Sequence, residues 1–214
     1  MLNTELSQYV TPCTSERLSA LKPVLDRWVK ITKQCFAGGM RPERWNTEAT
    51  LVGHFAAAVL AEGGSVLQEL SVRRSRGAGR LDLWFGLGSV SYVVESKVHR
   101  LERKSDFEQD RIVDELNNLL DEALAEAERI SLSPGPDRRL ALVFASRYPW
   151  SSQYGSAEQL RLAFVKAVYA VQRVDMRAVV IHGDGLGSEL PDGYCHMGTA
   201  LLGRLVSSNI GARR

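Results

Sequence analysis

Three charged side chains fall on two neighbouring predicted strands of this 214-residue chain. Glu95 and Lys97 are two residues apart, so both side chains point to the same face of their strand. Asp82 lies on the preceding strand of a predicted hairpin. If residues 86–89 form a four-residue connection, Asp82 opposes Val93 and lies diagonal to Glu95, with about 7–8 Å between the two backbones. We therefore expect two carboxylates and one ammonium group to share a site.

This combination suits metal-assisted chemistry on a phosphate. Two carboxylates at that separation can hold one hard divalent cation, with water as the remaining ligands. Lys97 could orient or deprotonate a water molecule, or stabilise negative charge developing on a phosphate. Glu48 precedes Val52 by four residues and Phe55 by seven, which predicts that it lies on the buried face of its helix. A carboxylate in that position suits a helix whose buried face looks toward a metal site.

Each of these residues also has a simpler interpretation. Glu95 and Lys97 could form a surface pair on a half-exposed sheet, and Asp82 could pair with Arg80. Glu48 could be a first-turn acid that complements the helix dipole. Trp84, predicted on the same face as Asp82, is expected to pack in the interior.

Hydrophobic periodicity predicts the elements that position these residues. Residues 1–45 are expected to form a helical extension, and residues 46–214 the main domain of a single globular unit. A helix with Asn46 or Thr47 as its N-cap is predicted to end at Gly63-Gly64. Its predicted apolar face comprises Val52, Phe55, Ala56, Val59 and Leu60.

Three strands follow that helix, within residues 65–73, 79–85 and 90–98. Strict alternation predicts that Leu81, Leu83 and Phe85 share one face of the middle strand. A long amphipathic helix (106–130), a buried strand (138–146), a second amphipathic helix (156–173) and a last buried strand (176–182) complete the order αβββαβαβ. Residues 183–198 are expected to form a loop, followed by a short apolar segment, 199–208. This order indicates one mixed α/β domain.

Gly79-Arg-Leu-Asp82, twelve intervening residues and Glu95-Ser-Lys97 together resemble the PD-(D/E)XK nuclease superfamily. The resemblance covers residues 47–146, although Leu81 stands where the name-giving proline would be. It implies a restriction-endonuclease-like core of order αβββαβ, in which helices flank a mixed central sheet.

The resemblance also implies a role for each candidate residue. Asp82, Glu95 and the backbone carbonyl of Ser96 would bind Mg²⁺, for which Mn²⁺ would substitute. Lys97 would be the catalytic lysine, and Glu48 would match the helical acid found in many members.

Basic residues surround the candidate site although the net charge of the chain is only +2. Residues 73–104 carry eight basic and three acidic side chains. The glycine-bearing loop with Arg73, Arg74, Arg76 and Arg80 is therefore expected to contact the phosphates of a nucleic acid. The alternative is an ordinary solvated basic loop. The acidic helix that follows is expected to face solvent or a partner subunit.

Other features of the chain bear on its location. No apolar run approaches the roughly 20 residues of a membrane span, and the N-terminus lacks the basic region of a signal peptide. The three cysteines contain no CxxC pair, which is typical of reduced thiols. We therefore expect a cytoplasmic protein with no membrane partner.

The leading hypothesis is a Mg²⁺-dependent nuclease that hydrolyses phosphodiester bonds, and specifically a DNA endonuclease of the restriction, repair or phage-defence type. DNA is preferred to RNA on family grounds alone, and a homodimer is expected because many members are dimers. The alternative is a catalytically silent member of the same fold that acts as a nucleic-acid-binding or assembly subunit. A small-molecule enzyme using the glycine loop at 182–187 is disfavoured, because no helix is predicted to open after that loop.

Overall fold

The computed structural model describes residues 13–37, 47–74, 77–101, 109–130, 138–147, 157–181 and 198–206. Within these ranges seven strands form one sheet in the order β1-β6-β7-β5-β4-β3-β2. The strands are β1 (Cys13–Thr14), β2 (Ser65–Arg74), β3 (Gly77–Leu87), β4 (Val90–Leu101), β5 (Arg138–Arg147), β6 (Met176–Ile181) and β7 (Gly198–Leu205). The helices are a 3₁₀ helix (Glu16–Leu21), α1 (Lys22–Ala37), α2 (Glu48–Ala61), α3 (Gln109–Glu128) and α4 (Ala157–Ala170).

The sheet is mixed, as predicted for this α/β domain. β2, β3 and β4 form an antiparallel meander, and β4 pairs with β5 in parallel after the α3 crossover. β7 pairs antiparallel with both β5 and β6. No helix among the described residues is both long and apolar enough to cross a membrane.

β7 corrects the predicted order of elements. The segment 199–208 was expected only to be a short apolar stretch, and the strand at 176–182 was expected to be the last. Instead β7 lies between β5 and β6, and all eight of its residues are buried. A strand covered on both faces shows no alternation between apolar and polar residues, so periodicity cannot distinguish it from a buried helical segment.

Helix α2 begins and ends where the sequence predicts. Thr47 is the N-cap, and its hydroxyl accepts a hydrogen bond from the backbone N–H of Thr50 at 3.2 Å. The chain leaves the helix through Gly63, which has a φ of +81°. Leu60 is 57% exposed, so its predicted place on the buried face is wrong. It lies at one edge of the apolar stripe in the last turn, where it projects to solvent.

The β3–β4 hairpin has a shorter turn than expected. Leu87 pairs with Val90 across a two-residue turn in which Gly88 has a φ of +60°. Phe85 therefore faces Tyr92. The four-residue connection assumed from the sequence is wrong, and the register along β4 is shifted by two residues. A glycine that adopts positive φ permits this tighter turn.

Two layers of helices cover the sheet. The 3₁₀ helix, α1 and α2 pack on one face, where Phe85 stacks on Tyr92 with ring centroids 4.6 Å apart. α3 and α4 pack on the other face. We call these the α2 face and the α3 face of the sheet. β5 is buried on both, as its continuous apolar sequence predicts.

Candidate active site

The middle of β3 changes faces at Asp82. Leu83 and Phe85 belong to the core on the α2 face, but Leu81 packs with Val93 in a separate small cluster on the α3 face. The prediction that Leu81 shares a face with Leu83 is therefore wrong. The alternation of faces along β3 is thus interrupted at Asp82, between Leu81 and Leu83.

The neighbouring strand β2 also changes faces, at Glu69, which lies beside Asp82. Val66 packs on the α2 face, whereas Val72 packs on the α3 face. Between them Glu69 has a φ of +53°, a left-handed conformation that is uncommon for a residue other than glycine. The β2–β3 ladder contains no pair between Glu69 and Asp82, although the pairs on either side are present. Both strands thus share one break in the regular sheet.

The break continues into the gap between β3 and β4. Their ladder ends at the pair Leu83–Val94. Beyond it the backbone N–H of Ser96 donates to Oδ2 of Asp82 at 2.7 Å. A side-chain carboxylate therefore takes the place of a backbone partner where the two strands separate. Extending the register by one residue would place Asp82 opposite Glu95.

Ser96 joins two of the predicted acids on the α2 face. Its Oγ lies 2.7 Å from Oε1 of Glu48 and 3.1 Å from Oδ2 of Asp82. The hydroxyl has one hydrogen to donate, so it serves two acceptors with a single proton. Asp82 thus reaches the α2 face and not the α3 face on which Trp84 packs, which corrects the prediction that these two residues point the same way.

Glu48 reaches Ser96 from the first turn of α2, but the residue as a whole is exposed. The prediction that it lies on the buried face of α2 is therefore wrong. From the exposed edge of the first turn its long side chain extends to the sheet. This place in the first turn also suits the interpretation that its charge complements the helix dipole.

Lys97 follows Ser96 on β4 and points to the α3 face, as alternation along the strand predicts. Its Nζ donates to Oε2 of Glu126 on α3 at 2.8 Å, in a pair that is about two-thirds buried. Burial alone would lower the pKa of Lys97, but the hydrogen bond and charge of Glu126 and the charges of Glu48 and Asp82 raise it above its ordinary value. Acids on both faces of the sheet therefore act on the charge of Lys97.

Glu95 is 2% exposed on β4, which is not the surface position of the simpler interpretation. It alternates with Ser96 along the strand and so shares the α3 face with Lys97. Asp82 reaches the α2 face instead, so the expectation that the carboxylates of Asp82 and Glu95 lie on one face is wrong. Its register partner on β5 is Ala141. A carboxyl group at this depth needs compensation by polar or charged neighbours or by a bound ion.

A cavity of about 380 Å³ opens beside the break. It is lined by Glu48, Ala49, Val52, Gln68, Glu69, Arg80 and Asp82. Arg80, a predicted phosphate contact, forms an exposed ion pair with Glu69, with Nη2 3.0 Å from Oε1. Arg73 and Arg74 occupy the end of β2, but their side chains lie outside the described structure, as does the whole of Arg76. The loop at 182–187 also lies outside it.

Two acids on α3 were not expected at the site. The helix was predicted to face solvent or a partner subunit, yet Glu126 contacts Lys97, and Oε2 of Glu115 lies 2.7 Å from Nε2 of His99. Both acids border the buried stripe of the helix, and Glu126 directly precedes the fully buried Ala127. That position beside the stripe is the signal from which a contact with β4 could have been predicted.

The donor types at the break suit Mg²⁺. Among the described residues no group of three or more His, Cys, Asp or Glu side chains is arranged to hold a metal ion. Mg²⁺ does not require such a group, because it commonly binds through one or two carboxylates and keeps several waters. Asp82 and Glu48 converge on Ser96, and their charges and that of Glu126 act on a single ammonium group. The excess of negative charge among these four groups would be offset by a divalent cation.

Comparisons with protein-family models and with curated proteins give no match for this chain. The functional assignment therefore depends on the residues, their geometry and the motif they resemble.

Proposed function

We propose that this protein is a Mg²⁺-dependent nuclease with a restriction-endonuclease-like core, and specifically a DNA endonuclease of the restriction, repair or phage-defence type. The observation that carries the proposal is the break in the sheet at Asp82. There the carboxylates of Asp82 and Glu48 meet at Ser96, next to the buried Glu95 and the paired Lys97. The motif that resembles the PD-(D/E)XK superfamily thus coincides with the irregular part of the sheet, where charged groups collect.

Each residue has a distinct role in the proposal. Asp82 would bind Mg²⁺ or, in its place, Mn²⁺ from the α2 face, with Glu48 beside it. The resemblance also assigns Glu95 and the backbone carbonyl of Ser96 to the cation, and Glu95 would have to reach it from the α3 face through the gap between β3 and β4. When bound, the cation would polarise the scissile phosphate and lower the pKa of the attacking water. Lys97 is held as a cation by Glu126, which favours neutralising charge on the phosphate over abstracting a proton. Glu48 would accept a hydrogen bond from a water molecule at the mouth of the cavity.

The arginines near the cavity support a nucleic acid as the substrate. Arg80 lines the cavity and presents an exposed guanidinium group, which suits a contact with a phosphate beside the site. Arg73, Arg74 and Arg76 are proposed to extend that contact along the backbone of the nucleic acid. The preference for DNA over RNA and the homodimer are carried over from the resemblance.

Cleavage of three DNA substrates would test the proposal. Supercoiled plasmid, linear duplex and single-stranded DNA are incubated with Mg²⁺ and then with Mn²⁺. We expect the native chain to cut only with a divalent cation, and a Glu95→Gln variant, which keeps the shape of the side chain, to lose the activity. Glu122→Gln is the matched control, because it removes the same charge from an exposed position of α3 that belongs to none of the proposed contacts. Cutting by Glu95→Gln at the native rate would contradict the proposed site.

Calorimetry distinguishes the enzyme from a catalytically silent member of the same fold. We expect the native chain to take up Mg²⁺ and Asp82→Asn to take up much less. A chain that binds DNA, takes up no divalent cation and cuts no substrate would be the silent subunit.

A further inference from the structure

Glu126 is placed to restrain the side chain of Lys97. It belongs to a turn of α3 that is fixed on the sheet by Ala123 and Ala127, both fully buried. From there its Oε2 accepts the hydrogen bond from Lys97 Nζ at 2.8 Å. The side chains of the pair are 27% and 33% exposed, so water screens their attraction less than it screens that of a surface pair.

The restraint opposes a second attraction. Glu48 and Asp82 also act on Lys97 through their negative charges. A lysine side chain is long and flexible. Without a partner on α3, the ammonium group would be drawn toward these two carboxylates through the gap that opens where the β3–β4 ladder ends. It would then compete with a divalent cation for the same oxygens.

We infer that Glu126 is a positioning residue, which holds Lys97 on the α3 face and so keeps its ammonium group from occupying the place of the cation at Asp82 and Glu48. This inference rests on the proposed function, because it concerns the same metal site. It adds a residue outside the motif, on a helix whose acids were predicted to face solvent or a partner subunit. If Glu126 has this role, removing its charge weakens metal binding although Glu126 is not itself a metal ligand.

The test measures Mg²⁺ binding by calorimetry and plasmid cleavage at increasing Mg²⁺ in the full chain. Removing a residue that is hydrogen-bonded to a metal ligand typically lowers affinity or activity about 10- to 100-fold. Glu126 contacts Lys97 and not a ligand, so we expect Glu126→Gln to weaken Mg²⁺ binding about 10-fold, at the lower end of this range, and to lower kcat without changing KM for DNA. Glu126→Asp should recover part of the loss, and Glu122→Gln should bind and cut like the native chain.

A second background shows whether Glu126 acts through Lys97. In a Lys97→Gln chain the restrained ammonium group is gone, so adding Glu126→Gln should no longer weaken Mg²⁺ binding. Weakening of the same size in both backgrounds would overturn the inference. This comparison also serves if Glu126→Gln alone folds poorly, since the double variant leaves no unpaired charge.

The two proposals fail in different ways. If the native chain neither binds Mg²⁺ nor cuts any DNA, the proposed function is wrong and the role of Glu126 falls with it. If the native chain does both and Glu126→Gln matches Glu122→Gln, the inference about Glu126 alone is overturned.

Discussion

Replacing Ser96 with alanine tests whether one hydroxyl ties α2 to the break in the sheet. The change removes the contacts of Oγ with Glu48 and Asp82 but keeps the 2.7 Å bond from the Ser96 backbone N–H to Asp82. A hydrogen bond to a charged group contributes about 1.5–3 kcal/mol. The hydroxyl donates one proton, so one such bond is lost, and the exposed Glu48 regains water. We therefore expect a loss near the lower limit, about 1.5 kcal/mol.

Urea unfolding of four variants would measure this loss. Ser91→Ala is the control on the same strand, because Ser91 is half-buried and its substitution should change stability by less than about 0.5 kcal/mol. The loss from Ser96→Ala should shrink when Glu48 is already Ala, since the shared contact is then absent. If Ser96→Ala is as stable as Ser91→Ala, or if its loss is the same with and without Glu48, the hydroxyl does not tie α2 to the sheet.

Two further predictions concern glycines and pH, and both are measured by chemical denaturation. Gly53→Ala should stabilise the protein by about 0.5–1 kcal/mol, because no atom lies within 4 Å of the added Cβ in helix α2. Gly198→Ala should destabilise it by about 1–3 kcal/mol, because its Cβ would lie 2.7 Å from the backbone oxygen of Val180; equal effects at the two glycines would contradict this contrast. Burial acts to raise the pKa of Glu115, but Arg111 and His99 lower it below its ordinary value of 4.5. The stability that native Glu115 adds over Glu115→Gln should therefore be present above pH 4.5 and decline as the pH falls below it. A difference that is constant down to pH 3 would contradict this assignment.

Elements with one covered face could be predicted well from the sequence. Helix α2 has its N-cap at Thr47 and, apart from the exposed Leu60, the apolar stripe that the pattern predicts. The faces of β4 are also correct, since Tyr92 and Val94 pack on the α2 face while Val93 packs on the α3 face. β7 could not be predicted in this way, because it is buried on both faces and its residues show no period.

The candidate site was predictable in its residues but not in its geometry. Alternation along β4 correctly separates Ser96 from Lys97. The break at Glu69 and Asp82 depends on a left-handed backbone at a glutamate, for which the residue type provides no signal. The register of the hairpin depends on the number of residues in its turn. The turn has two residues and not four, so every β3–β4 pair is shifted by two residues along β4.

The break brings Asp82 to Ser96 and Glu48 and, at the same time, separates it from Glu95. In a regular antiparallel ladder Asp82 would oppose Glu95, and both side chains would point away from the hydroxyl of Ser96. The carboxylate of Asp82 meets that hydroxyl because β3 changes faces and β3 separates from β4 beyond Leu83. Glu48 can then reach the same point from one side of the sheet, while Glu126 holds Lys97 on the other. The convergence of these charges thus depends on the irregular backbone as much as on the motif.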